Sequence, residues 1–207
     1  MKYAIVAIFA TVFILSCNRH KTFDSEKELW VYLNDIDNEY KQSKNINNIE
    51  FSLLYKPTDV LVTQELGEKA SDSLVNVLRK KYDKYLYFTL SMSSSNKELL
   101  STVPKNKNEF GALVNQLAFN MGENVHVFTQ SKDTLVLQDY VYPRMYGMSN
   151  STSMLFAYLK DEKQLEETYL NLTINDLGIQ TGEVKFKIPT SIIKQQPKLS
   201  FETNKNE

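Results

Sequence analysis

"VHVFTQSKDTLVLQDYVY", residues 125–142, decides how this chain folds. Val125 and Val127 share one side of a two-residue period, and His126 takes the other. "TLVLQDYVY" follows after the short turn Ser131-Lys132-Asp133. Two β-type runs flanking so short a turn predict a hairpin. Strands joined in this way run antiparallel, because a parallel pair needs a crossover of roughly a dozen residues or more.

The same period continues on both sides of this stretch. Downstream, "SMLFAYL" (153–159) reads as a strand. In "TYLNLTI" (168–174), Leu170, Leu172 and Ile174 oppose Asn171 and Thr173. Asn175 to Gly178 turns the chain. Val184, Phe186 and Ile188 then alternate with Lys185 and Lys187 until Pro189 ends the strand. Ile192, Ile193, Leu199 and Phe201 are expected to dock on the sheet. Upstream, "IEFSLLY" (49–55) follows the turn "NINN" (45–48). Leu86, Phe88, Leu90 and Met92 alternate with Tyr87, Thr89 and Ser91.

Helical spacing is concentrated before residue 122. "EKELWVYLNDI" (26–36) follows a cap at Asp24 or Ser25 and places Leu29, Trp30, Leu33 and Ile36 together. Pro57 and Thr58 open a helix that runs to about Glu68. Residues 71–85 form another, with Ser71 or Ser73 as cap and Leu74, Leu78 and Tyr82 on one face. Asn106 to Met121 is the clearest. Its Phe110, Leu113, Val114, Leu117 and Met121 trace one stripe, and Gly122 suits a left-handed C-cap. The expected fold is α+β: an antiparallel sheet with about three to four helices, mostly in the N-terminal half, packed on one of its faces.

Composition narrows the function classes. With 42% hydrophobic residues, 12 Tyr and 11 Phe, the 207-residue chain holds enough apolar material for a real core. Six Gly and five Pro argue against disorder. The net charge of −1, from 24 basic and 25 acidic residues, gives no global field toward nucleic acid. No local basic patch with interleaved aromatics replaces it.

The first residues differ from the rest. Lys2 precedes "AIVAIFATVFIL" (4–15), an apolar run well short of the roughly 20 residues a membrane-spanning helix needs. Its length matches the apolar core of a signal peptide. Ile14-Leu15-Ser16-Cys17 then resembles a bacterial lipobox, and Cys17 is the one cysteine of the chain. The resemblance implies diacylglyceryl transfer to the Cys17 thiol, cleavage before it and acylation of the new amino group. Buried methylenes contribute about 0.8 kcal/mol each, so two or three acyl chains make an effectively permanent anchor. The implied division is residues 1–16 as signal peptide, 17–26 as lipidated tether and 27–207 as one α+β domain. Asn18, where an aspartate would retain the protein at the inner membrane, points to the outer membrane. The Lys-, Asn-, Ile- and Tyr-rich composition resembles uncharacterised Bacteroidota lipoproteins, a group that supplies no named activity. In that lipoprotein group an acidic stretch just after the cysteine marks export to the surface, so the basic Asn18-Arg19-His20-Lys21 implies the periplasmic face.

Catalytic patterns are sparse. Without a second cysteine there is no intrachain disulfide. No zinc spacing, GxSxG elbow or phosphate-cradling glycine loop occurs, so no metal or cofactor is expected. His126, with Asp133 or Asp139, is the one group from which a hydrolytic centre could be drawn. Glu166 and Glu167, adjacent on a strand, would point to opposite faces. The densest unusual segment is "DYVYPRMYGMSNSTSM" (139–154). Tyr142, Arg144, Tyr146 and Met148 there form a candidate ligand or partner loop, since Tyr and Arg are favoured interface anchors. The alternative is a hairpin end whose tyrosines pack over the sheet edge. Met145, Met148 and Met154 offer thioethers for copper but lack a histidine nearby.

These features suggest a membrane-anchored envelope lipoprotein, a non-enzymatic binding or accessory module for an envelope protein or glycan. The competing expectation is a lipid-anchored hydrolase acting on envelope polymers.

Overall fold

Alternation along residues 49–56 sets the first layer. In the computed structural model, which describes residues 20–67 and 71–201, Ile49, Phe51, Leu53 and Tyr55 are buried and Glu50 faces outward. The leader and Cys17 lie outside the described residues.

In chain order the elements are β1 (Thr22–Phe23), α1 (Glu26–Asn34), β2 (Lys41–Ile46), β3 (Ile49–Lys56), α2 (Thr58–Leu66) and α3 (Asp72–Tyr82). Then come β4 (Tyr85–Ser94), β5 (Lys97–Glu98), α4 (Leu99–Thr102), α5 (Lys107–Phe119), β6 (Val125–Phe128) and β7 (Leu137–Val141). The chain continues with β8 (Thr152–Leu159), β9 (Tyr169–Ile174), β10 (Val184–Pro189), α6 (Thr190–Lys194) and β11 (Lys198–Leu199). Helices combine with antiparallel sheets, as the sequence indicates. The finer expectation is corrected: the described residues hold six helices, and α5 and α6 fall in the C-terminal half. The single-turn α4 and α6 are too short to show a period.

The strands form two main sheets where one was expected. The larger runs β2-β3-β4-β8-β7, with β5 paired to the end of β4, and the smaller runs β10-β9-β6. Every pair within them is antiparallel. A short parallel pair, β1 with β11, joins the two ends of the described chain.

The expected hairpin at 131–133 survives only as its turn. Thr129 N donates to Asp133 O at 2.9 Å and Leu135 N to Val127 O at 2.8 Å. Beyond the Phe128–Thr134 bridge the arms part, β6 pairing with β9 and β7 with β8. The stretch is therefore the link between the sheets. A two-residue period reveals which face a residue takes, not which strand it pairs with.

One hydrophobic cluster draws on both sheets, combining Phe88, Phe156 and Tyr158 with Val127, Leu172 and Phe186. Each such buried side chain contributes about 1.5–3 kcal/mol. Inside it, Tyr158 OH on β8 donates to Val125 O on β6 at 2.8 Å, a bond from one sheet to the other. A file of aromatic contacts, Tyr32–Tyr40–Tyr55–Phe88–Tyr158, leads back to the N-terminal segment at centroid spacings of 5.6, 6.3, 5.5 and 6.2 Å.

The expected helix faces hold at most positions and fail at one residue each. α3 packs on α2 through Val62, Leu66, Val75 and Leu78, which leaves Leu74 exposed. On α5, Leu113 and Leu117 are buried but Phe110 is exposed. α1 stops at Asn34, so Ile36 lies outside, and Trp30 sits half-buried with its indole N–H on Glu26 Oε1 at 3.0 Å. Gly122 is not a left-handed cap. It lies in the 3-10 turn 121–123, where a Cβ would come within 3.1 Å of Leu137. Its small size lets that turn approach β7.

Candidate functional site

The loop between β7 and β8 starts from a constrained backbone. Met148 N donates to Met145 O at 3.0 Å, and the two residues between have φ of 54° (Tyr146) and 83° (Gly147). Positive φ at both central positions is the pattern of a type I′ turn. Glycine accepts it freely, whereas a side chain there costs roughly 1–2 kcal/mol. Tyr146 is the one aromatic among the described residues with positive φ. It is 74% exposed, and Met148 is 79% exposed. The turn holds an apolar and aromatic pair out into solvent.

Beneath the turn lies a carboxylate that the sequence reading missed. Glu98, at the junction of β5 and α4, is 3% exposed, and its Oε1 accepts from Ser149 N at 3.1 Å. Leu99 N donates to Thr152 Oγ1 at 3.0 Å, which fixes α4 to the start of β8. Glu98, Phe110, Arg144, Tyr146 and Gly147 border a hollow of about 220 Å3. The Arg144 guanidinium stands 4.8 Å from the Tyr146 ring centroid.

Two donors here find no acceptor among the described residues: the Tyr142 hydroxyl and Arg144 Nε, both buried. A buried donor without a partner costs about 1–3 kcal/mol, so a native structure rarely keeps one without cause. Burial, and then the field of Glu98, hold the Tyr142 hydroxyl above the ordinary tyrosine range, with Arg144 opposing. The site can offer hydrogen-bond donors and a cation stacked on an aromatic ring.

The structure thus brings Tyr142, Arg144 and Tyr146 to one loop, with Met148 on the same turn. Tyr142 packs against the core, as the edge-packing alternative requires, and Tyr146 does not. The three methionines are not gathered: Met154 is buried in β8 while Met148 is exposed. Among the described residues, no group of three His, Cys, Asp or Glu side chains is placed to hold a metal.

The residues of the hydrolytic alternative are also engaged separately. His126 Nε2 faces Glu123 O at 3.0 Å, Asp133 accepts from Gln164 Nε2 at 2.9 Å, and Asp139 accepts from Tyr140 N at 2.8 Å. Glu166 lies in a 3-10 turn rather than on a strand. Glu167 binds Ser131 Oγ and the Gln130 and Ser131 amides. The Ser131 hydroxyl hydrogen bond, aided by the amides, holds its carboxyl below the usual range.

Two other concavities stand out. On the outer face of the larger sheet, Ser43, Ser52, Ser91 and Ser153 stand opposite one another across four neighbouring strands. Ser43, Ser52 and Ser91 of this row line a depression of about 350 Å3. The second is a cleft of about 450 Å3 where the N-terminus of α2, the end of α3, α6 and β11 meet. There Arg79 grips Asp59, and Lys160 lies 3.0 Å from Asp83 and 3.3 Å from Glu162. The sequence reading found neither, because both are assembled from distant segments.

No family model matches the chain, and no curated protein matches it. Among solved structures, a novel protein of unknown function from Burkholderia pseudomallei K96243 matches at 12% identity, over 81% of this chain and 86% of that one, with a TM-score of 0.40. A likeness that shallow carries nothing over to this chain.

Proposed function

We propose that this chain is an envelope lipoprotein, anchored through acyl chains on Cys17 at the periplasmic face of the outer membrane, whose folded part binds an envelope protein or glycan without catalysis. The observation that supports the binding role is the 145–148 turn. A tyrosine accepts an unfavourable left-handed backbone there, and its ring stays in solvent beside Arg144. Strain of this kind persists where the surrounding structure over-determines it, and it clusters at ligand clamps. Packing of Tyr146 does not explain it.

The lipobox-like Ile14-Leu15-Ser16-Cys17 supports the anchor. No helix among the described residues is long and apolar enough to cross a membrane. The separate engagement of His126, Asp133 and Asp139 favours binding over hydrolysis.

The test places a photoreactive phenylalanine analogue at Tyr146 in the full chain, within intact envelopes. A discrete adduct is expected from position 146, and none from the same probe at exposed Val136. Metabolic labelling with a clickable fatty acid is expected to mark the wild type and to be lost in Cys17→Ala. Identical adducts from both probe positions would overturn the binding role, and an unlabelled wild type would overturn the anchor.

A further inference from the structure

We infer that the cleft between α2, α3, α6 and β11 seats the phosphodiester of an anionic phospholipid, in the leaflet that carries the Cys17 anchor. The inference rests on the anchored reading above and adds a second point of contact with the same membrane.

The cleft carries an excess of positive charge. Five fixed cations line it against three carboxylates. Asp59 is consumed by Arg79 and by the Leu199 amide, which donates to its Oδ2 at 2.7 Å. Asp83 and Glu162 are taken by Lys160. Among the described residues no carboxylate pairs with Lys80, Lys194 or Lys198. Lys80 and Lys194 lie in the last turns of α3 and α6, where a cation complements the helix dipole. That accounts for each lysine singly, but not for their convergence from separate elements, with Lys198 of β11, on one opening.

Chain length bounds how far this opening can stand from the anchor. His20 lines the cleft, with its Nδ1 2.9 Å from Gln196 O. Lys198 N donates to Lys21 O at 2.8 Å, and β1 continues the pairing with β11. Residue 20 is therefore pinned at the cleft mouth. Only three peptide units separate it from Cys17, so their Cα atoms lie within about 11 Å of each other. An acylated Cys17 sits at the headgroup plane, so the His20 edge of the cleft lies within roughly 11 Å of it, close to one Debye length at 0.1 M salt. A cationic hollow kept at that height meets lipid phosphates at high effective concentration.

The test uses the processed, lipidated protein reconstituted in vesicles of phosphatidylethanolamine, alone or with phosphatidylglycerol as a third of the lipid. Amine modification is followed residue by residue through peptide mapping. Lys80, Lys194 and Lys198 are expected to react about fivefold more slowly with phosphatidylglycerol present, the factor per lysine near an anionic surface. Lys97, the first residue of β5, paired with Ser94 at the far end of β4, serves as the unaffected reference. High salt should erase the difference.

Equal rates in the two vesicle types on an acylated protein overturn the lipid seat and leave the anchor standing. A bare Cys17 in the same preparation overturns the anchor by itself. Equal protection by free glycerol phosphate in detergent assigns the cleft to a soluble ester and overturns the lipid source. The triple variant K80Q/K194Q/K198Q leaves the Arg79–Asp59 pair intact. Lys160 lines the same cleft, and its labelling should also slow with phosphatidylglycerol in the wild type. In the triple variant, with unchanged near-ultraviolet dichroism, the Tyr146-probe adducts should persist while that dependence of Lys160 disappears. Retained dependence would contradict the proposal.

Discussion

Arg79 holds Asp59 by two parallel hydrogen bonds, Nε to Oδ1 at 2.7 Å and Nη2 to Oδ2 at 2.6 Å, while a further contact runs from Nη2 to Leu199 O at 3.0 Å. Asp59 is 3% exposed and also accepts from the Leu199 amide. One ion pair therefore joins α2, α3 and the C-terminal β11.

Asp59→Ala removes the acceptor for both Arg79 and the Leu199 amide. Breaking a fully buried pair costs about 3–5 kcal/mol. Arg79 reaches solvent, so a loss of about 2 kcal/mol is expected in urea titration. Arg79→Lys keeps the charge but loses the planar fork, and should fall between Asp59→Ala and wild type. Wild-type stability in Asp59→Ala would contradict the role of the pair.

The inter-sheet bond from Tyr158 to Val125 O gives a second expectation. Tyr158→Phe keeps the ring and the packing on Phe88, and removes only the hydroxyl. A loss of about 1–2 kcal/mol is expected, with faster amide exchange in β6 than in β4. Equal exchange changes in the two sheets would show that the bond is not the local clasp.

How far the sequence disclosed this fold depends on what each element needed. Strands with one buried face, such as β3, β4, β9 and β10, are legible because alternation along a single strand reports burial. β2, "KQSKNI", carries no such pattern. It is an edge strand whose lysines suit an unpaired border, and it is set by the Asn47-Asn48 turn with φ of 51° and 63°. The expected faces of α3 and α5 fail only at Leu74 and Phe110, because the helices and turns that they pack against are not knowable from period alone. At the site, Tyr142, Arg144 and Tyr146 were legible as a dense cluster of interface-type residues. Glu98 was not, since what marks it is burial beneath a loop some fifty residues away in sequence. The cation cleft draws on residues from 20 to 198 and has no local signature at all.

Tyr146 allows strain to be separated from packing. Tyr146→Gly relieves the left-handed φ, worth about 1 kcal/mol, and gives back part of it through the extra freedom of glycine in the unfolded chain. A net gain of about 0.5 kcal/mol is expected. Tyr146→Ala keeps a Cβ at φ 54° and should gain nothing. Both should lose their partner. A destabilised Tyr146→Gly would mean that the ring supports the fold.

Alkaline pH acts through the tyrosines. Tyr87 is pushed up to about 12, chiefly by burial and then by Tyr82 and Tyr85. Tyr40, Tyr55 and Tyr158 are raised further, burial being the largest cause in each. The folded chain therefore keeps phenolic protons that the unfolded chain releases near the ordinary value of 10.0. Their contribution is complete below that pH and is lost as pH rises through the raised values. The thermal midpoint should stay level to about pH 10 and then fall steeply, with tyrosinate absorbance appearing together with unfolding. Full tyrosine ionisation in a still-folded protein near pH 10 would contradict the burial pattern.

The role assigned to this chain depends most on its attachment to lipid. Intact-mass analysis of the protein purified from its native host reads that attachment directly. The expected species begins at Cys17 and carries the added mass of a diacylglyceryl group and an N-acyl chain. A chain with an unmodified Cys17 thiol, or with its leader cut at another position, would contradict it.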